Sequence, residues 1–149
     1  MAARAVHELM SSTLIPPSTS SRRRLRAAAW AGFLALCFYL THTPPPAAHA
    51  PGVFNDKLLH LSGFTVLGWL TLWRLGPRDR RSPALEAALW FLALASYAMV
   101  DELTQPLVGR TAELSDWIAD LTGGALGMLA VLIPRLSATT SRKWPHRFV

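Results

Sequence analysis

The sequence predicts an all-α integral membrane protein, a four-helix bundle with both termini in the cytoplasm. Three observations carry that prediction. Hydrophobic residues make up 51% of the 149-residue chain and charged residues only 16%, with a positive mean hydropathy, a balance unusual for a soluble domain. The apolar residues gather into four segments. Basic residues collect on one side of those segments and acidic residues on the other.

Taken in order, residues 1–26 read as a disordered basic cytoplasmic tail, rich in Ser, Thr and Pro and ending in Arg22, Arg23, Arg24 and Arg26. Met10 is an alternative start. The first span, 27–43, is closed by Pro44, Pro45 and Pro46. A secretory signal is the competing reading, because arginines, an apolar run and Ala48-His49-Ala50 imitate its three regions. Against it, Pro51 directly follows the would-be cleavage site and the apolar run exceeds a usual signal core, so the segment is read as a retained span. The second span covers 57–74, the third 84–102 and the fourth 114–133. Residues 27–134 thus form the domain and 135–149 a second basic tail. A bilayer core of about 30 Å asks for about 20 helical residues, so several spans must count their polar ends.

Orientation follows from charge. The two tails and the loop around Arg78, Arg80 and Arg81, together with Arg74, hold 13 of the 15 Lys and Arg residues. The other two connections carry only Lys57 and Arg110. By the positive-inside bias both termini are cytoplasmic. Asp56, Asp101, Glu102, Glu113, Asp116 and Asp120 then fall at the opposite, outer face.

The net charge of +6 invites a nucleic-acid reading. The basic residues, however, flank apolar runs instead of interleaving with aromatics on one surface, so no nucleic-acid partner is expected. The single cysteine, Cys37, excludes a disulfide framework and reads as a small buried hydrophobe. Phosphate loops, nucleophile elbows, zinc motifs and dinucleotide fingerprints are absent from the sequence. Trp69, Trp73 and Trp144 read as interfacial aromatics, and His42, His49 and His146 as loop or tail residues.

The polar residues of the outer face recur at helical spacing. Asp56 and His60 are four apart, with Lys57 beside them. Glu102 and Gln105 are three apart, Asp101 and Gln105 four, before Pro106 stops the third helix. Gly109 permits a tight turn that presents Arg110, and Asp116 and Asp120 lie one turn apart on the fourth helix. Three helix ends and one loop therefore converge on one pocket. Asp120, Gly123, Gly124 and Gly127 share a stripe, and Gly123-x-x-x-Gly127 lets a neighbouring helix come close. The acidic face is thus expected to be the packed one, because a charge facing lipid at this depth costs up to about 2.5–3.5 kcal/mol.

These residues, D-K-x-x-H at 56–60, E-x-x-Q at 102–105, and Gly109-Arg110 followed by Asp116, Asp120 and Gly123, resemble the VanZ-like family of small bacterial membrane proteins. The likeness covers roughly residues 30–134. The family usually has Asn where this chain has Asp120; a protonated Asp120 could still donate a hydrogen bond there. The resemblance implies a link to low-level resistance to the glycopeptide teicoplanin, whose target lies outside the cytoplasmic membrane.

For chemistry, His60, Glu102 and Asp116 are the candidate catalytic groups. Asp56, Lys57, Gln105, Arg110 and Asp120 are the candidate substrate-binding ones. The carboxylates with His60 could hold a divalent ion and activate water, or His60 and Glu102 could trade a proton while Arg110 and Lys57 neutralise a lipid phosphate. Membrane lipids, and cell-wall lipid intermediates, are the expected partners. Two alternatives stand beside an enzyme or binder of head groups: a non-catalytic envelope protein whose polar cluster is structural, and a proton-linked transporter. Metal, cofactor and oligomeric state stay open at this level.

Overall fold

The computed structural model describes residues 18–43, 56–75 and 82–142. Among them are four α-helices, one 3-10 turn and no strand. Helix α1 runs Thr19–Thr41, α2 Asp56–Leu75, α3 Pro83–Thr104 and α4 Leu114–Arg142. The 3-10 turn Gln105–Val108 follows α3 directly.

Local chemistry explains most boundaries. Pro106 lies in the 3-10 turn, where its missing N–H ends the α-helical ladder. Gly109 then adopts φ +77°, the left-handed conformation that glycine takes without a Cβ penalty. Its N–H bonds the Pro106 carbonyl, and the Arg110 N–H bonds that of Gln105.

Two boundaries differ from the sequence reading. Arg22, Arg23, Arg24 and Arg26, expected in a disordered tail, form the first turns of α1. Ser18 caps them, its hydroxyl accepting from the Ser21 N–H at 3.2 Å, and Arg26 lies 4.8 Å over the Trp73 ring. At the other end, α4 does not stop at Pro134 but continues through it to Arg142. Proline forfeits one backbone bond, while the next residue, Arg135, is anchored by its guanidinium to the Leu72 carbonyl at 2.7 Å.

Helices α2 and α4 form the most extensive contact; α3 packs on α4, and α1 on α2. The α2–α4 seam is made by glycines. A Cβ on Gly123 or Gly127 would run into the Leu61 or Thr65 carbonyl, and one on Gly68 into the backbone of Gly124. Leu67, Leu72, Phe64, Ala98, Leu94 and Met128 fill the core beside this seam. At the end away from Asp120, the Arg74 guanidinium lies between the Trp30 and Trp90 rings, 4.2 and 4.5 Å from their centroids. Trp69 stacks on Trp73 at 5.2 Å.

The distribution of polarity is inverted relative to a water-soluble bundle. Leu107 and Leu114 are 84% and 70% exposed, whereas Asp120 and Asp101 are 0% and 1% exposed. Large exposed apolar surface marks contact with a partner or a lipid phase. Two stretches, Pro83–Val108 and Leu114–Ala138, are long and apolar enough to cross a membrane. The arginines of α1, and Asp56, Lys57, His60 and Arg74 in α2, dilute the apolar content of the other two helices.

Gly127→Ala should destabilise the protein by about 1–3 kcal/mol, because the Cβ meets backbone that no rotamer change can move. Gly32→Ala, with open space at its Cβ, should be close to neutral. Thermal unfolding of both variants in detergent measures the difference.

Candidate functional site

All eight predicted site residues lie at one end of the bundle, and they divide into a rim and a floor. On the rim, Arg110 donates through Nη2 to both carboxylate oxygens of Asp56 at 3.3 Å. Lys57 Nζ donates to Glu113 Oε2 at 3.0 Å, Ser115 Oγ at 2.9 Å and Asp116 Oδ1 at 3.0 Å. It thereby ties the start of α2 to the first turn of α4. Bonded to Lys57, the Glu113 carboxyl is held below its ordinary value. A group shifted this way contributes fully above the ordinary glutamate range, and its contribution is lost only as pH falls through the lowered value, so the bridge is intact at neutral pH.

The floor is buried. His60 Nδ1 and Asp120 Oδ1 are 2.9 Å apart, joining α2 to α4, and one proton lies between them whichever atom carries it. Glu102 Oε1 is 3.9 Å from the same imidazole nitrogen. Both oxygens of Glu102 are also engaged, accepting from Gln105 Nε2 at 3.0 Å and from the Glu113 backbone N–H at 3.0 Å. Glu102 therefore positions the loop before α4 while bordering His60. The Gln105 side-chain amide donates to the Glu102 carboxylate, three residues away, while its backbone N–H bonds the Asp101 carbonyl, four away.

Asp101 opens a second branch that the sequence reading left outside the site. Its Oδ1 accepts from the Thr41 hydroxyl at 3.1 Å and from the Tyr97 hydroxyl at 3.4 Å. His42 lies 3.7 Å from the same oxygen and 2.8 Å, through Nε2, from Thr104 Oγ1. Tyr97 and Asp101 are one helical turn apart, a readable signal. Thr41 and His42 carry none, because they come from the end of a different helix. His42, read as a plain loop residue, joins α1 to α3 and stacks on Phe38 at 3.9 Å. His49, His146 and Trp144 lie outside the described residues.

Among the described residues, two groups could hold a cation. The donor atoms of His60, Glu102 and Asp120 lie within 4.8 Å of one another, as do those of Asp56, His60 and Asp116. A cleft of about 360 Å³ opens beside them between α1 and α2. Phe33, Leu36, Cys37, Leu40, Leu59 and Gly63 form its apolar length, and Asp56, His60 and Arg110 its polar end. Because Nδ1 of His60 is committed to Asp120, Nε2 is the ring atom left to meet a group in the cleft.

The polar end of the cleft thus adjoins the buried cluster of His60, Glu102 and Asp120 at one end of a helical bundle. A family model described as VanZ/LLP1 matches residues 9–135, and the chain belongs to that family. No curated protein and no solved structure matches it. Membership in the family and the two long apolar helices together point to a membrane protein.

Asp120→Ala leaves the buried His60 ring without its partner and should lower stability by about 1–3 kcal/mol. Asp120→Asn keeps an acceptor oxygen at the same place and should cost clearly less. Melting temperatures of the two purified variants beside the parent test this; equal losses would mean that charge, not the hydrogen bond, holds the floor together.

Proposed function

We propose that the chain is a multi-pass protein of the bacterial cytoplasmic membrane whose outer-face pocket binds the phosphate-bearing head group of a lipid. Its four helices are read as four spans, with residues 27–134 as the domain and both basic tails in the cytoplasm. The observation that carries this reading is the α1–α2 cleft, in which an apolar groove leads to Asp56, His60 and Arg110. A hydrocarbon tail suits the groove. A phosphate suits Arg110, whose fork matches phosphate geometry, and which the 3.3 Å contact to Asp56 holds at the cleft mouth. Lys57 adds a second positive charge on the rim, and His60 offers an imidazole for hydrogen bonding or proton exchange.

In this reading Glu102, Gln105 and Asp116 orient the pocket, since each is tied to a neighbouring element. Asp120 fixes the His60 ring. Phospholipids and polyprenyl-phosphate cell-wall intermediates share the required chemistry, a phosphate on a long apolar tail. A pocket on the outer face also agrees with the family's association with teicoplanin, which acts outside the cytoplasmic membrane.

Native mass spectrometry of the detergent-purified protein tests the binding, with phospholipid and polyprenyl phosphate offered in separate arms. Retained adducts are expected, reduced at least tenfold in affinity by Arg110→Ala and by Gly63→Leu, which fills the groove. Whichever lipid shows that sensitivity is the occupant. Adducts equally strong in parent and both variants would overturn the reading.

Topology is tested separately. Reporters fused after Arg80 and after Val149 should report the cytoplasm, and one fused near Pro45 the outside. An external C-terminus would remove the four-span arrangement.

A further inference from the structure

We propose that His60, Glu102 and Asp120 form a binding site for one divalent transition-metal ion, of the zinc or manganese type, on the floor of the pocket. The three side chains come from three different helices and are 5%, 4% and 0% exposed. Their donor atoms lie within 4.8 Å of one another. An ion bound at about 2.0–2.2 Å to nitrogen and oxygen in a tetrahedral arrangement separates neighbouring donors by about 3.3 Å. The two distances from His60 Nδ1, 2.9 Å to Asp120 and 3.9 Å to Glu102, bracket that value, so small side-chain adjustments suffice.

A second observation points to a missing ligand. Asp120 Oδ2 is buried and has no hydrogen-bond partner, and Asp101 Oδ2, on the neighbouring helix, is in the same condition. A buried carboxylate oxygen without a partner is costly. A cation held by both oxygens of Asp120 supplies what Oδ2 lacks.

Charge makes the same point. Lys57 is directed to Glu113 and Asp116, and Arg110 to Asp56. Among the described residues, the ion pairs of the floor carboxylates Asp101, Glu102 and Asp120 involve only His42 and His60. Three carboxylates thus face two imidazoles, with no lysine or arginine in the set. One imidazole nitrogen with two carboxylates is a donor set for zinc, manganese or ferrous ion, whereas magnesium and calcium prefer oxygen alone.

The second trio, Asp56, His60 and Asp116, is the weaker candidate. Its two aspartates already face Arg110 and Lys57, and Asp56 is exposed. In the favoured trio, Gln105 and the Glu113 N–H hold the Glu102 carboxylate in place, the kind of outer support that metal ligands use. The ion takes the position of the proton between His60 and Asp120, and that proton passes to the solvent.

This site stands on the buried ligands and not on lipid binding, so either reading can fail alone. Full-length protein in nanodiscs, stripped with chelator and titrated with ZnCl2 and separately with MnCl2, should bind one ion per chain with proton release that scales with the buffer's ionisation enthalpy. His60→Gln and Asp120→Asn should each weaken binding at least tenfold, and His42→Gln should not. X-ray absorption of the zinc-loaded parent, which needs no variant, should show an oxygen and nitrogen shell with one imidazole. The absence of stoichiometric binding would overturn the proposal. So would two or more imidazoles in the shell, loss of binding in His42→Gln, or binding that survives both His60→Gln and Asp120→Asn.

Discussion

Backbone contact between α2 and α4 is the constraint from which the acidic end takes its geometry. A Cβ on Gly123 would meet the Leu61 carbonyl and one on Gly127 that of Thr65, so the two helices lie too close for a side chain between them and are fixed in register. His60 immediately precedes Leu61, and Asp120 precedes Gly123 by three residues. The 2.9 Å His60–Asp120 contact is therefore a consequence of the seam, set by residues that carry no functional group. A Cβ in the seam would move the helices apart and open that contact before any polar residue had changed.

Given that register, polarity sorts itself by depth. Rim charges, Asp56 with Arg110 and Lys57 with Glu113 and Asp116, pair across elements, and all but the buried Asp116 still reach the surface. Floor carboxylates are met by two hydroxyls, the Gln105 amide, the Glu113 backbone N–H and imidazoles. Interhelical hydrogen bonds in membranes average only about 0.6 kcal/mol, so a handful of them repays little of the cost of burying three carboxylates. Under the proposed binding role, that cost is offset by what the site holds.

Much of this was legible in the sequence, because helical spacing and small-residue spacing are short-range signals. The four-residue step from Asp56 to His60, the three-residue step from Glu102 to Gln105, the stop at Pro106, the turn at Gly109 and the Gly123–Gly127 seam all follow from one helix read at a time. The partners that lie across elements did not follow. Thr41 and His42 reach Asp101 and Thr104 from the far end of α1, and no periodicity within α3 announces them. The arginines at the start of α1 were read by charge alone. Hydropathy has no way to register a serine cap or an arginine laid over a tryptophan on another helix.

Helix α1 has a particular place in this scheme. It is fastened to the rest of the bundle near both ends: Trp30 Nε1 donates to Thr71 Oγ1 at 2.9 Å beside the Arg74 stack, and Thr41 and His42 reach α3 at the acidic end. Between those fastenings Phe33, Leu36, Cys37 and Leu40 line the cleft. A groove bounded by two polar clamps can hold an apolar tail along its length while the tail's head group lies at the upper clamp, beside His60 and Arg110. Under the lipid-binding reading, an occupant then has no need to cross water. It enters sideways from the bilayer, between α1 and α2, and its head group arrives beside Asp56, His60 and Arg110 at the polar end of the cleft.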